Sequence, residues 1–123
     1  MMNKKIMITS TEIRQEEIYL LSESHFDIIA LKPMEQMLVD SDNLSFIYIM
    51  DDESDYTYIS IPSFVWPELR KALEKNLMVF LENQDSRVCL PNFLEELQYL
   101  IENIKGNSNY GAQMVENVEK NFD

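Results

Sequence analysis

The sequence predicts an α+β domain: a mostly antiparallel sheet of about five to seven strands, one middle helix and a C-terminal helical hairpin. Three observations predict it. Short runs of aliphatic and aromatic residues separated by polar turns fill the first half and recur near residue 80. The hydrophobic period then changes to a helical one after Pro62 and again after Pro91. Glycine and proline are scarce, two and four in 123 residues, which favours long regular elements with short connections. A chain of this length is one domain, 1–123, with one core.

The elements follow in order. "KKIMITS" and "EEIYLLS" are strand candidates separated by the polar "TEIRQ", and "FDIIALK" is a third, closed by Pro33. "MLV" leads into two hairpins, in which "DSDN" and "DDESD" supply turn residues around "LSFIYIM" and "YTYISIP". If Met50 faces Tyr56, then Tyr48 opposes Tyr58 and Phe46 opposes Ser60 on one face. Ile47, Ile49, Thr57, Ile59 and Ile61 then share the other. Both faces are apolar, so this pair belongs in the middle of its sheet.

"SFVWPELRKALEKN" places Val65, Leu69, Ala72 and Leu73 on one helical side, with Ser63 as candidate N-cap and Pro67 in the first turn. "LMVFLE" and "RVCL" form a further hairpin through "NQDS". "PNFLEELQYLIENIKG" carries Asn92 and Glu95 as a capping box, an apolar stripe of Phe93, Leu97, Leu100, Ile101 and Ile104, and a stop at Gly106. Tyr110, Met114, Val118 and Phe122 then repeat every fourth residue.

Composition excludes several functions. The net charge of −12 opposes a nucleic-acid groove, and the only concentrations of base are Lys4, Lys5, Arg70, Lys71 and Lys75. Such a surface suits solubility or attraction to a basic partner. Cys89 and His25 stand alone, which rules out a disulfide or a thiolate zinc cluster within the chain. Cys89 lies in the apolar "RVCLP" and reads as a buried, inert thiol. The apolar run in "MMNKKIMITS" is too short for a signal peptide or a membrane span, so the expectation is a cytoplasmic protein with no membrane association.

The acidic stretch fails as a calcium loop. Asp40, Asp42 and Asp51 fit the first, third and twelfth positions, but Leu44 and Ser45 fall where a ligand and a glycine are required. A looser site from Asp40, Asp42, Asp51, Asp52 and Asp55 is opposed by distance, because the intervening strand holds the two turns about 20 Å apart. Solvated turns are the better reading. No phosphate loop, nucleophile elbow or histidine-rich pattern is present, and Glu95 and Glu96 are first-turn helix charges. The expectation is no catalytic residue, no metal and no cofactor.

"MLVDSDNLSFIYIMDD", "EELQYLIENIKGNSNYG" and the closing "VEKNF" together resemble the YjbL-like family of small proteins from low-GC Gram-positive bacteria, over nearly the whole chain. The resemblance implies a cytoplasmic protein of unknown role and brings no activity or catalytic residue.

The leading functional expectation is a non-enzymatic protein-interaction or regulatory module, acting through a protein partner or as a homodimer. Its candidate partner face is Phe46, Tyr48, Tyr56 and Tyr58. The alternative is a small-molecule or nucleotide-binding regulatory domain with a pocket between sheet and helices. A second candidate surface joins "DSDN" to "GNSNYG" through Asp40, Asp42, Asn43, Asn107, Asn109 and Tyr110, the carboxylates reaching the exposed N–H groups of the last helix. Against it stands the simpler reading, in which each loop satisfies only its own turn.

Overall fold

The computed structural model describes residues 4–123, so Met1–Asn3 of "MMNKKIMITS", the run read as too short for a signal peptide or membrane span, lie outside the described residues. Two mixed sheets of four strands each replace the single, mostly antiparallel sheet. In the first, the order is β1 (Lys4–Met7), β6 (Tyr56–Pro62), β5 (Ser45–Asp51), β4 (Lys32–Asp40). In the second it is β2 (Ser10–Arg14), β3 (Glu17–Leu21), β7 (Met78–Glu82), β8 (Arg87–Cys89). The pairs β1–β6 and β3–β7 are parallel and the others antiparallel.

Two local causes account for the extra strand and the second sheet. "TEIR" is a strand because Gln15 adopts a left-handed φ of 55°, so that a two-residue turn sets Arg14 opposite Glu17. The chain then crosses between sheets within two residues. The Ile8 amide donates to the Ser60 carbonyl of the first sheet (3.0 Å), and the next amide, Thr9, donates to Leu21 of the second (2.9 Å). "FDIIALK" is not a strand. Ile28–Ala30 form a 3-10 turn that buries Ile28, and β4 begins only at Lys32 and runs through Pro33.

Three helices, α1 (Trp66–Lys75), α2 (Phe93–Ile104) and α3 (Ala112–Phe122), cover the first sheet on one side. The ring contacts fix that side. Trp66 lies 4.7 Å from Phe46 between centroids, Phe93 5.7 Å from Tyr48, and Phe122 6.3 Å from Phe46 and 5.8 Å from Trp66. The buried Trp66 indole N–H donates to the Ile61 carbonyl at 3.1 Å, which satisfies the one polar atom of the largest core side chain. Ile18, Leu20, Val79 and Leu81 of the second sheet complete the same core.

The caps differ from expectation. Ser63 lies in a 3-10 turn ahead of α1, and Val65 precedes the helix with no side-chain bond. Asn92 precedes α2 in the left-handed region (φ 64°) and makes no capping bond, so the capping box does not form. Gly106, at φ 68°, does supply the left-handed residue after α2. The last two helices also differ from a side-by-side antiparallel pair. The Gly106 amide donates to the Glu119 carboxylate at 2.9 Å and Lys105 pairs with Asp123. The far end of α3 therefore returns to the end of α2 rather than to its start.

Candidate functional site

The register of β5 and β6 corrects the predicted aromatic face. Asp51 pairs with Tyr56, Tyr48 with Ile59 and Phe46 with Ile61. The connection holds four residues rather than five, because the Asp52 carboxylate closes it. That carboxylate accepts from the Ser54 amide (3.1 Å), the Ser54 hydroxyl (3.0 Å) and the Asp55 amide (2.8 Å), and the Asp52 amide donates to the Asp55 carbonyl (3.0 Å). These bonds, led by the one from Asp55, together with the Lys4 ammonium at 3.0 Å, hold the Asp52 carboxyl well below the usual carboxylate range. A slip of one residue sends alternate side chains to opposite faces. Phe46 and Tyr48 are therefore core, fully buried, while Tyr56 and Tyr58 lie on the outer face. The four aromatics do not form one surface.

The outer face is nevertheless apolar. Across the sheet, one row reads Met7, Ser60, Ile47, Leu38 and the next reads Lys5, Tyr58, Ile49. Met7, Leu38 and Tyr56 are 47 %, 46 % and 47 % exposed, whereas Ile47 and Ile49 are buried yet stand apart from the main core. Acidic turns close both ends of β5, with Asp40 and Asp42 at one and Asp51, Glu53 and Asp55 at the other.

The two fingerprint loops each satisfy themselves. Asp40 accepts from the Asn43 side-chain amide (2.8 Å) and lies 3.4 Å from its backbone N. Asn107, not Asn109, is the capping residue of the second loop, accepting from the Asn109 amide at 3.1 Å. Tyr110 ends the 3-10 turn Ser108–Tyr110, and α3 follows Gly111 with no side-chain cap. Among the described residues, no hydrogen bond or ion pair joins Asp40, Asp42 or Asn43 to residues 106–111. Nor, among the described residues, are three or more His, Cys, Asp or Glu side chains grouped to hold a metal ion.

A polar cluster that the sequence reading missed covers the outside of the second sheet. Arg14 forks onto Glu82 through two bonds of 3.0 and 2.9 Å and donates to Glu12 at 2.8 Å. Its guanidinium lies 4.1 Å from the centroid of the Tyr19 ring, with Arg87 at 5.3 Å. Tyr19 donates to Glu17 and stacks on Phe80 at 5.2 Å. Two of the chain's three arginines thus converge on one tyrosine, which is only 2 % exposed on an otherwise open face. Pairing with Arg14 lowers the Glu82 carboxyl from its ordinary range. Arg14 pairs with Glu12 and Glu82, Arg87 with Glu82, and Glu17 accepts from Tyr19, so the cluster acts as a clamp across β2, β3, β7 and β8. The signal was available: a two-residue turn after Arg14 places Arg14 and Glu12 opposite Glu17 and Tyr19. Cys89, half-buried on β8 opposite Phe80, has its thiol pushed up by burial and then by Glu17, the reverse of what a nucleophile needs.

Fold and surface together define a small α+β domain with an ion-paired cluster on one sheet and, on the other, an apolar row whose ends, Met7 and Leu38, are exposed. The chain matches a "Family of unknown function (UPF0738)" over residues 6–122, and it belongs to that family. It is 40 % identical to a "UPF0738 protein" of Geobacillus sp. (strain WCH70) over 122 residues, covering 98 % of each chain. It is 39 % identical to one of Bacillus cereus (strain G9842), covering 98 % of this chain and 99 % of that one. These relatives support the low-GC Gram-positive grouping but not the YjbL label. No solved structure matches the chain. Among the described residues no helix is long and apolar enough to cross a membrane.

Proposed function

We propose that this protein is a non-enzymatic, cytoplasmic interaction module. Its outer face on the first sheet receives a partner protein that carries an apolar patch flanked by basic side chains. One observation carries this reading: the face has an apolar centre of Met7, Ile47, Ile49, Leu38 and Tyr58 between two acidic turns. Met7 and Leu38, about half exposed at the two ends of one apolar row, are the surface that such a partner would cover. Acidic margins, on a chain of net charge −12, select a basic partner and disfavour a second copy, whose own acidic turns would be brought against these.

The test is affinity capture from a Bacillus lysate with the wild type and with the Met7→Glu, Leu38→Glu double variant, alongside sedimentation of the isolated chain. The expected result is a basic protein retained by the wild type at low salt, released as salt screens the margins, and absent from the variant. An identical set on both baits, salt-insensitive retention, or a wild-type dimer that the variant dissociates would each refute this occupant.

A further inference from the structure

Among the described residues of α1, α2 and α3, Tyr99 is the one large apolar side chain that stands open to solvent, 66 % exposed. It borders a hollow of about 470 Å³ between the end of α1, at Leu73 and Asn76, and the flank of α2 that carries Leu94, Glu95 and Glu102. A second hollow of about 340 Å³ shares Asn76, Leu94 and Glu95 with it and continues to the exposed Met78. The two form one groove, to which Leu94 and the half-buried Leu73 give an apolar floor.

The charges beside that floor define what it takes. Glu95 and Glu102 are seven residues apart on one flank of the helix, about 10 Å along its axis. Among the described residues neither makes an ion pair. Glu102 accepts the neutral Gln98 side-chain amide at 2.8 Å. Helix stability does not account for Glu102, because it stands in the last turn of α2, where the negative helix end opposes a carboxylate and no basic residue answers it. Across the groove, Arg70 and Lys71 are paired with Glu74 and Glu68, and Lys75 lies outside the walls.

We propose that this groove receives an amphipathic helix of a partner protein, with cationic side chains one heptad apart. Those cations pair with Glu95 and Glu102, and the apolar residues between them cover Leu73, Leu94 and Tyr99. A strand does not fit the spacing: about 10 Å is three strand residues, whose outer two point to opposite faces. A second copy would set these same carboxylates against each other. The groove lies in the helix layer, on the side of the first sheet away from its outer face, so the two surfaces are separate.

The test is an amide-resonance titration of the full chain with a three-heptad helical peptide, leucine at positions a and d and lysine at e and g. The same peptide with glutamate for lysine is the control. Saturable shifts centred on Leu73, Leu94 and Tyr99 are expected with the lysine peptide alone. Tyr99→Ser and the Glu95→Gln, Glu102→Gln pair should each weaken binding by about tenfold. The Asp42→Asn, Glu53→Gln pair, which removes equal charge beside the outer face, should bind as the wild type does. All five substituted side chains are exposed, so the fold is kept. No saturable shift, equal weakening by both charge pairs, shifts centred on the outer face, binding indifferent to Tyr99→Ser, or a wild-type dimer that Tyr99→Ser dissociates would each overturn the proposal.

Discussion

The Tyr48 hydroxyl donates to the Pro91 carbonyl at 2.7 Å, tying the middle of β5 to the residues that open α2. The residue that follows, Asn92, lies in the left-handed region and makes no capping bond. That conformation withdraws the Asn92 side chain from the helix end it was expected to cap.

Removing the bond leaves the carbonyl of Pro91, an exposed residue, to solvent. Tyr48→Phe should destabilise the domain by about 0.5–1.5 kcal/mol in denaturant unfolding, with no change in secondary structure by circular dichroism.

The same phenol sets an alkaline limit. Burial, then the Glu35 carboxylate, raises the Tyr48 hydroxyl above the ordinary tyrosine range. The unfolded chain therefore loses this proton at a lower pH than the folded one. The corresponding stability is fully present below about pH 10 and falls as pH rises beyond it. Tyr48→Phe should be less stable at neutral pH but lose less between pH 10 and pH 11.

The acid limb has the opposite sign. Asp52 is held low by the Asp55 amide first and by Lys4 next, so its contribution is present above about pH 4 and is lost as pH falls. Asp52→Asn keeps an acceptor for the turn but cannot titrate. Its stability should vary less than that of the wild type between pH 4 and pH 2.

The far end of α3 is held by aromatic contact with Phe46 and Trp66. Phe122→Ala, at a half-buried site, should cost about 2 kcal/mol and speed amide exchange in α3 before the sheet loosens.

Local signals in the sequence located most strands and all three helices, because alternation and helical period act over a few neighbours. Parallel pairing was not legible: Ile6 meets Ile59 and Ile18 meets Val79, partners with no turn between them to announce the match. The aromatic face was lost to a single residue of register, decided by one carboxylate, Asp52, closing its loop with four residues instead of five. The acidic turns were rightly read as turns. That they bracket the apolar outer row of Met7, Ile47 and Leu38 is visible only once Ile47 and Ile49 are placed on the face opposite Phe46 and Tyr48.

The most direct test of the partner face uses methyl resonances of the isotope-labelled protein, titrated with the purified basic protein from the capture. The account predicts that Met7, Leu38, Ile47 and Ile49 shift together, that Ile59 and Ile61 stay still, and that affinity falls as salt rises. Shifts centred instead on the inner isoleucines or on the helices, with the outer four unmoved, would contradict it.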